Sequence, residues 1–216
     1  MPPAPVVTAV WAMVGIGVGI AVQMINRRLA RIESLTPGSG PVCRWGPVIV
    51  AGLVFALLGW RLGAEPLLLI RSLWAAVLVQ VLFFDAEHRL ILNLVLLPAA
   101  VAAVALSPFT PGLGWRSALI AGVVAGLAFL IIAGLGALAF RAEAMGMGDV
   151  KLAAVIGLLL GVTYTAPALL AGMILAGLAA AVLLVLRRRG RRDTIAYGPF
   201  MCVGALAWLV LEGISR

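Results

Sequence analysis

A chain of 216 residues that is 64% hydrophobic and only 11% charged lies far from the soluble average of about half apolar and a quarter charged. It has no room for a sizeable soluble domain. The net charge of +8 raises nucleic acid as a partner, but the 16 basic residues are scattered between apolar runs and form no single polar face, so no nucleic-acid partner is expected.

A spanning helix takes about 20 mostly apolar residues, and only helices or closed barrels satisfy their backbone groups in lipid. Runs such as Ala118 to Phe140 lack the period-two alternation of a barrel strand, so the expected fold is all-α, a polytopic membrane helical bundle. Apolar runs predict spans near 6–25, 46–60, 66–84, 90–107, 118–140, 150–161, 166–186 and 195–213, about eight crossings in one membrane domain over 1–216. The first run has no basic n-region and reads as a retained helix, not a cleaved signal peptide. Turn chemistry punctuates the runs: Thr36-Pro37-Gly38-Ser39-Gly40, Ser107-Pro108 through Gly114, and Gly146-Met147-Gly148. With the N-terminus outside, only Arg61, Arg71, Arg116 and Arg216 fall on the outer side, and the other 12 basic residues, including the cluster Arg187 to Arg192, fall inside. The positive-inside rule favours that orientation. Cys43 and Cys202 lie far apart with no second Cys or His beside either, so neither a zinc site nor a disulfide is signalled, and no cofactor is expected.

Ionisable groups at membrane depth are costly, which draws attention to the few that interrupt apolar runs. Asp85 directly follows Leu82-Phe83-Phe84 at the end of the third predicted span, and Asp149 follows the Gly-rich turn that opens the sixth. An intervening even number of crossings puts both carboxylates on one face, the cytoplasmic one by the charge count. Taken singly, Asp85 reads as an interfacial charge and Asp149 as a helix N-cap. Taken together they suit peptide hydrolysis, in which an ionised carboxylate activates water and a protonated one polarises the scissile carbonyl. Held close, the two would share a proton. Asp149 at a helix N-terminus would be the base and Asp85 at a C-terminus the acid. Gly146 and Gly148 would let a substrate strand approach. Glu87, His88, Arg89 and Glu143 read first as loop charges, with Glu87 and Glu143 also placed to meet basic substrate residues. Lys151 is two positions past Asp149 and does not face it along a helix, which leaves it for headgroups or substrate.

These segments resemble the type IV prepilin peptidases and their archaeal preflagellin relatives, a branch of the GxGD membrane aspartyl proteases. That family's first motif is an Asp at a helix end followed by Ile-Pro-Asn or Ile-Pro-Asp; Asp85, Ile91 and Asn93 match, and Leu92 replaces the proline. Its second, Gly-x-Gly-Asp-x-Lys-Leu, is met in full by Gly146, Gly148, Asp149, Lys151 and Leu152, with Glu143 before it. Ile195-Ala196-Tyr197-Gly198-Pro199-Phe200 is more loosely similar to the family's last-helix opening and departs at Ala196 and Tyr197. The resemblance implies Asp85 and Asp149 as catalytic acids of an inner-membrane endopeptidase. Its substrates would be prepilins or pseudopilins, cut at the cytoplasmic face between a basic leader and a hydrophobic helix. Many members carry two Cys-x-x-Cys pairs after the first span, linked to zinc and to N-methylation. Here the loop, 26–46, is short and holds only Cys43, which implies a peptidase without a zinc ion and leaves a methyltransferase step unsupported. The rival classes are a small proton- or cation-coupled transporter and a catalytically silent pilus or secretion assembly factor. A presenilin-like protease stands further off, because Phe84 occupies the place of a Tyr.

Overall fold

The computed structural model describes residues 4–36, 38, 40–140, 146–186 and 196–211. Among them the ordered elements are helical: α1 (Ala4–Ile32), α2 (Pro41–Leu62), α3 (Pro66–His88), α4 (Asn93–Leu106), a 3-10 turn (Ser107–Phe109), α5 (Gly114–Phe140), α6 (Met147–Val185) and α7 (Gly198–Leu211). Five of these, α1, α2, α3, α5 and α6, are long and apolar enough to cross a membrane, and α4 and α7 are shorter apolar helices. The fold is a polytopic helical membrane bundle.

Boundaries follow the local chemistry. Proline in the first turn opens α2 and α3, where its missing N–H leaves no orphan, and Gly63 in a positive-φ conformation (φ 59) ends α2. The connection expected over 26–46 is shorter than the charges suggested, because α1 continues through Ile32 and α2 begins at Pro41. Val22, Asn26, Leu29 and Ala30 are buried while Arg27, Arg28 and Arg31 are exposed, so an amphipathic extension carries α1 past its apolar run.

The separate spans expected at 150–161 and 166–186 correspond to the two segments of α6, which meet at Gly161, whose φ of 69 and ψ of -177 are not helical. The chain reverses there. The first segment, 147–160, runs antiparallel to α5, with Gly122 against Leu158 and Gly126 against Ala154. The second segment, 162–185, lies along α5 again, and Val162 to Met173 face Ile120 to Phe129 across a shared cleft. Breaking a helix in lipid frees backbone groups that need partners. Here Val162 N–H donates to Ser117 Oγ at 3.0 Å and Thr165 Oγ1 donates to the Gly161 carbonyl at 2.5 Å.

The most buried of the five long helices is α3, and polar cross-links tie its neighbours to it. Trp11 Nε1 of α1 donates to Ser72 Oγ at 2.8 Å, Gln80 Nε2 donates to Asn26 Oδ1 at 3.0 Å, and the buried Arg71 donates to the Leu209 carbonyl of α7 at 3.0 Å. Glycines set the closest helix approaches. A Cβ on Gly157 would lie 2.5 Å from the Ala121 carbonyl oxygen of α5, whereas one on Gly177 would meet nothing within 4 Å.

Overpacking at a backbone contact has no flexible neighbour to yield. Gly157→Leu is expected to cost about 1–3 kcal/mol and lower the thermal midpoint in detergent, while Gly177→Ala holds or raises it. Scanning fluorimetry of the two variants beside the unaltered chain checks this.

Candidate active site

Asp85 sits in the last turn of α3, which ends at Arg89 in the left-handed conformation (φ 52, ψ 38), with the Arg89 N–H bonded to the Asp85 carbonyl at 2.8 Å. Its side chain is buried, the residue being 4% exposed. Oδ2 has no hydrogen-bond partner among the described residues. Native interiors leave few such atoms unpaired, so this oxygen is available to a substrate or to water. Asp149 is the third residue of α6 and is half-buried. Its N–H bonds to the Gly146 carbonyl at 3.1 Å, which puts Gly146 at the cap position. Asp149 is therefore not the cap, and its carboxylate is released for another use.

The start of α7 lies between the two. A Cβ on the buried Gly198 would collide with Asp85 Oδ2 and lie 3.0 Å from its Cγ, and the Gly198 backbone comes within hydrogen-bonding range of the Asp149 carboxylate. Only a glycine admits that approach. Ile91 fills the space beside it: a Cβ on Gly148 would be 3.0 Å from Ile91 Cβ, and one on Gly198 would be 3.1 Å from Ile91 Cδ1. The two aspartates lie within electrostatic range of one another and of the fully buried Cys202 thiol, one turn along α7 from Gly198. Helices α4, α6 and α7 all begin around this pair, so three helix N-termini converge on it.

The residues singled out in the sequence divide into three groups. Asp85, Asp149 and Gly148 come together as described, with Gly146 capping α6. Lys151 and Asn93 meet each other, with Lys151 Nζ donating to Asn93 Oδ1 at 2.9 Å on an exposed rim between α4 and α6. Glu87 faces away, two positions past Asp85 and hence on the other side of α3. Its carboxylate accepts the Gly38 N–H and lies 3.3 Å from His88 Nε2, beside Cys43. Glu143 falls outside the described residues. Among the described residues no three His, Cys, Asp or Glu side chains are grouped to hold a metal ion. Sequence reading gave Gly198 too little weight and assigned Ile91 and Cys202 no place in the site. A glycine directly before a proline at a helix start was the available signal for Gly198, the motif match was the signal for Ile91, and nothing marked Cys202.

A buried and a half-buried carboxylate, on helix ends that face one another across a glycine, define a membrane-embedded acid-pair site. Residues 72–182, about half of the chain and including both aspartates, match the type IV leader peptidase family. The chain belongs to that family. It is 31% identical over 170 residues to a prepilin leader peptidase/N-methyltransferase of Bacillus subtilis (strain 168), an alignment that covers 77% of this chain and 65% of that protein. The chain thus spans less than two thirds of that relative's length. No solved structure matches.

Leu92, where the family motif has proline, caps α4 with φ -80 and ψ 125, and its carbonyl accepts from both Val95 and Leu96. That φ is one proline adopts, and the Leu92 N–H makes no hydrogen bond to another described residue. Leu92→Pro should keep the fold, with stability changed by about 1 kcal/mol or less as lost packing on Leu29 and Phe84 offsets the stiffer unfolded chain. Unfolding more than 10 °C below the unaltered chain, on the order of several kcal/mol, would contradict the backbone assignment.

Proposed function

We propose that this chain is an aspartic endopeptidase that removes the basic leader of type IV prepilin-like proteins at the cytoplasmic face of the inner membrane, crossing that membrane about eight times with its N-terminus outside. The observation that carries the reading is the pairing of Asp85 with Asp149 across Gly198, inside the segment matched by the leader peptidase family.

The two carboxylates occupy different surroundings, as the chemistry requires. Asp149 is half-exposed, lies in the first turn of α6 and has the Gly198 backbone beside it, all of which suits the ionised form that takes a proton from water. Asp85 is buried at a helix C-terminus, surroundings that suit a protonated acid aimed at the scissile carbonyl oxygen. Water attacks the carbonyl carbon, Asp149 accepts its proton, and Asp85 donates to the carbonyl oxygen. Collapse of the tetrahedral intermediate breaks the C–N bond as one of its hydroxyls returns a proton to Asp85 and Asp149 passes its proton to the leaving amine, which restores both acids to their starting states. The exposed Lys151–Asn93 pair stands at the rim where the leader enters. Methylation of the new N-terminus is not part of the proposal, since the short connection between α1 and α2 carries none of the cysteine pairs linked to that step.

Leader cleavage of a prepilin reporter in membranes tests the reading. Asp85→Asn and Asp149→Asn should each abolish cleavage while inserting normally, and full activity in either would refute the acid pair. Gly198→Ala should insert normally and lose about 100-fold in rate, because its methyl group displaces Asp85 by an appreciable fraction of an ångström.

A further inference from the structure

Among the described residues, apolar clefts open on the outer surface of the bundle, including the following three. One lies among the first turns of α1 and α3, and a second between α5 and the second segment of α6. The third, a groove of 870 Å³, lies between α4 and α5 with the first segment of α6 as its floor. Its walls are Val101 and Val104 on α4 and Val123 and Leu127 on α5, and its floor carries Val150 and Ala154. Of these three, the third alone contains a residue adjoining one of the paired carboxylates: Val150 follows Asp149, about 100° round the helix.

Resting on the peptidase reading above, we infer that this groove seats the apolar helix of the substrate that follows the scissile bond, with the bond itself held at the head of the groove beside Asp149. The depth of the site supports this occupant. The first segment of α6, 147–160, rises about 21 Å, less than the roughly 30 Å of a hydrocarbon core, so Asp149 lies below the lipid surface if Gly161 reaches the opposite one. A chain leaving the site at that depth satisfies its backbone only as a helix. The groove presents no charged side chain, and small residues on its wall and floor, Ala100, Ala105 and Ala154, allow a close approach. In lipid, where apolar surface alone gives no drive to associate, such small residues are what favour helix packing. A polar leader gains nothing from this lining. It leaves instead past the exposed Lys151–Asn93 rim.

The test fills the groove without touching the carboxylates. Val123 and Leu127 are 59% and 52% exposed, so Val123→Trp and Leu127→Trp add bulk outside the packed core; Val124, also 59% exposed, lines the second cleft and serves as control. Each variant is assayed in membranes on a reporter carrying the apolar helix and on a water-soluble peptide that ends a few residues past the scissile bond. The groove variants should raise KM for the helix-bearing reporter by about tenfold and leave the soluble peptide's kcat/KM unchanged, with Val124→Trp unchanged on both. A photoreactive side chain at Val101 should cross-link to the reporter's helix. Cross-links to lipid alone, equal losses on both substrates, or no loss from either groove variant would overturn the assignment. Cleavage of neither substrate by the unaltered chain would instead remove the peptidase reading, and this inference with it.

Discussion

The position a Cβ would take on Gly198 is already occupied by the Asp85 carboxylate. That contact decides how α7 sits between α3 and α6, because a bulkier residue would push the start of α7 away from the carboxylate and take the Gly198 backbone away from Asp149. The rest of α7 follows from it. Gly172 and Gly204 let the second segment of α6 and α7 pack backbone to backbone, with Gly172 against Met201 and Gly204 against Ala168. At the other end of α7, Arg71 reaches the Leu209 carbonyl and holds the helix against α3 about three turns beyond Gly198. Two aspartates that are 64 positions apart in sequence are thus brought together by a helix whose sequence carries only a loose likeness to the family pattern.

Polar groups inside the bundle serve as alignment points in a setting where apolar contact alone distinguishes poorly between registers. Trp11 with Ser72 and Asn26 with Gln80 fix α1 parallel to α3 at two levels. Glu87 extends the same logic beyond the helices by accepting the Gly38 N–H, which pins the α1–α2 connection to the end of α3. A carboxylate beside Asp85 in sequence therefore contributes to holding the frame and faces away from the Asp85–Asp149 pair. This is a consequence of helical geometry that proximity in sequence conceals.

Much of the fold was legible because apolar run length and turn chemistry report directly on helices in lipid. Asp85 and Asp149 were legible for a related reason, since charge is rare enough at membrane depth to stand out. What stayed hidden depended on contacts between distant segments. The charges of Arg27, Arg28 and Arg31 suggested a loop, yet they lie on the exposed face of a continuing helix whose other face carries Asn26, Leu29 and Ala30. The predicted spans 150–161 and 166–186 already part at Gly161, but the means of the reversal, hydroxyls from Ser117 and Thr165, was not visible. Ile91 entered only as a motif letter, and its contacts with Gly148 and Gly198 arise from three separate elements.

Two short helix segments begin beside the carboxylate pair. The 14 residues of α4 begin just past Asp85, and the first segment of α6 begins at Asp149; each rises about 21 Å against a core of roughly 30 Å. If that shortfall falls at the site end, the pair lies below the lipid surface, where packing can separate the environments of two identical side chains. Asp85 faces packed protein, while Asp149 retains a partly exposed side. At full helix length both carboxylates would stand in bulk water, where neighbouring charges interact weakly and neither acid is distinguished from the other. On the peptidase reading, burial in mid-membrane would deny both the water that hydrolysis consumes. An intermediate depth would satisfy both conditions, and the Gly161 turn, with its side-chain hydroxyl partners, divides α6 at that length.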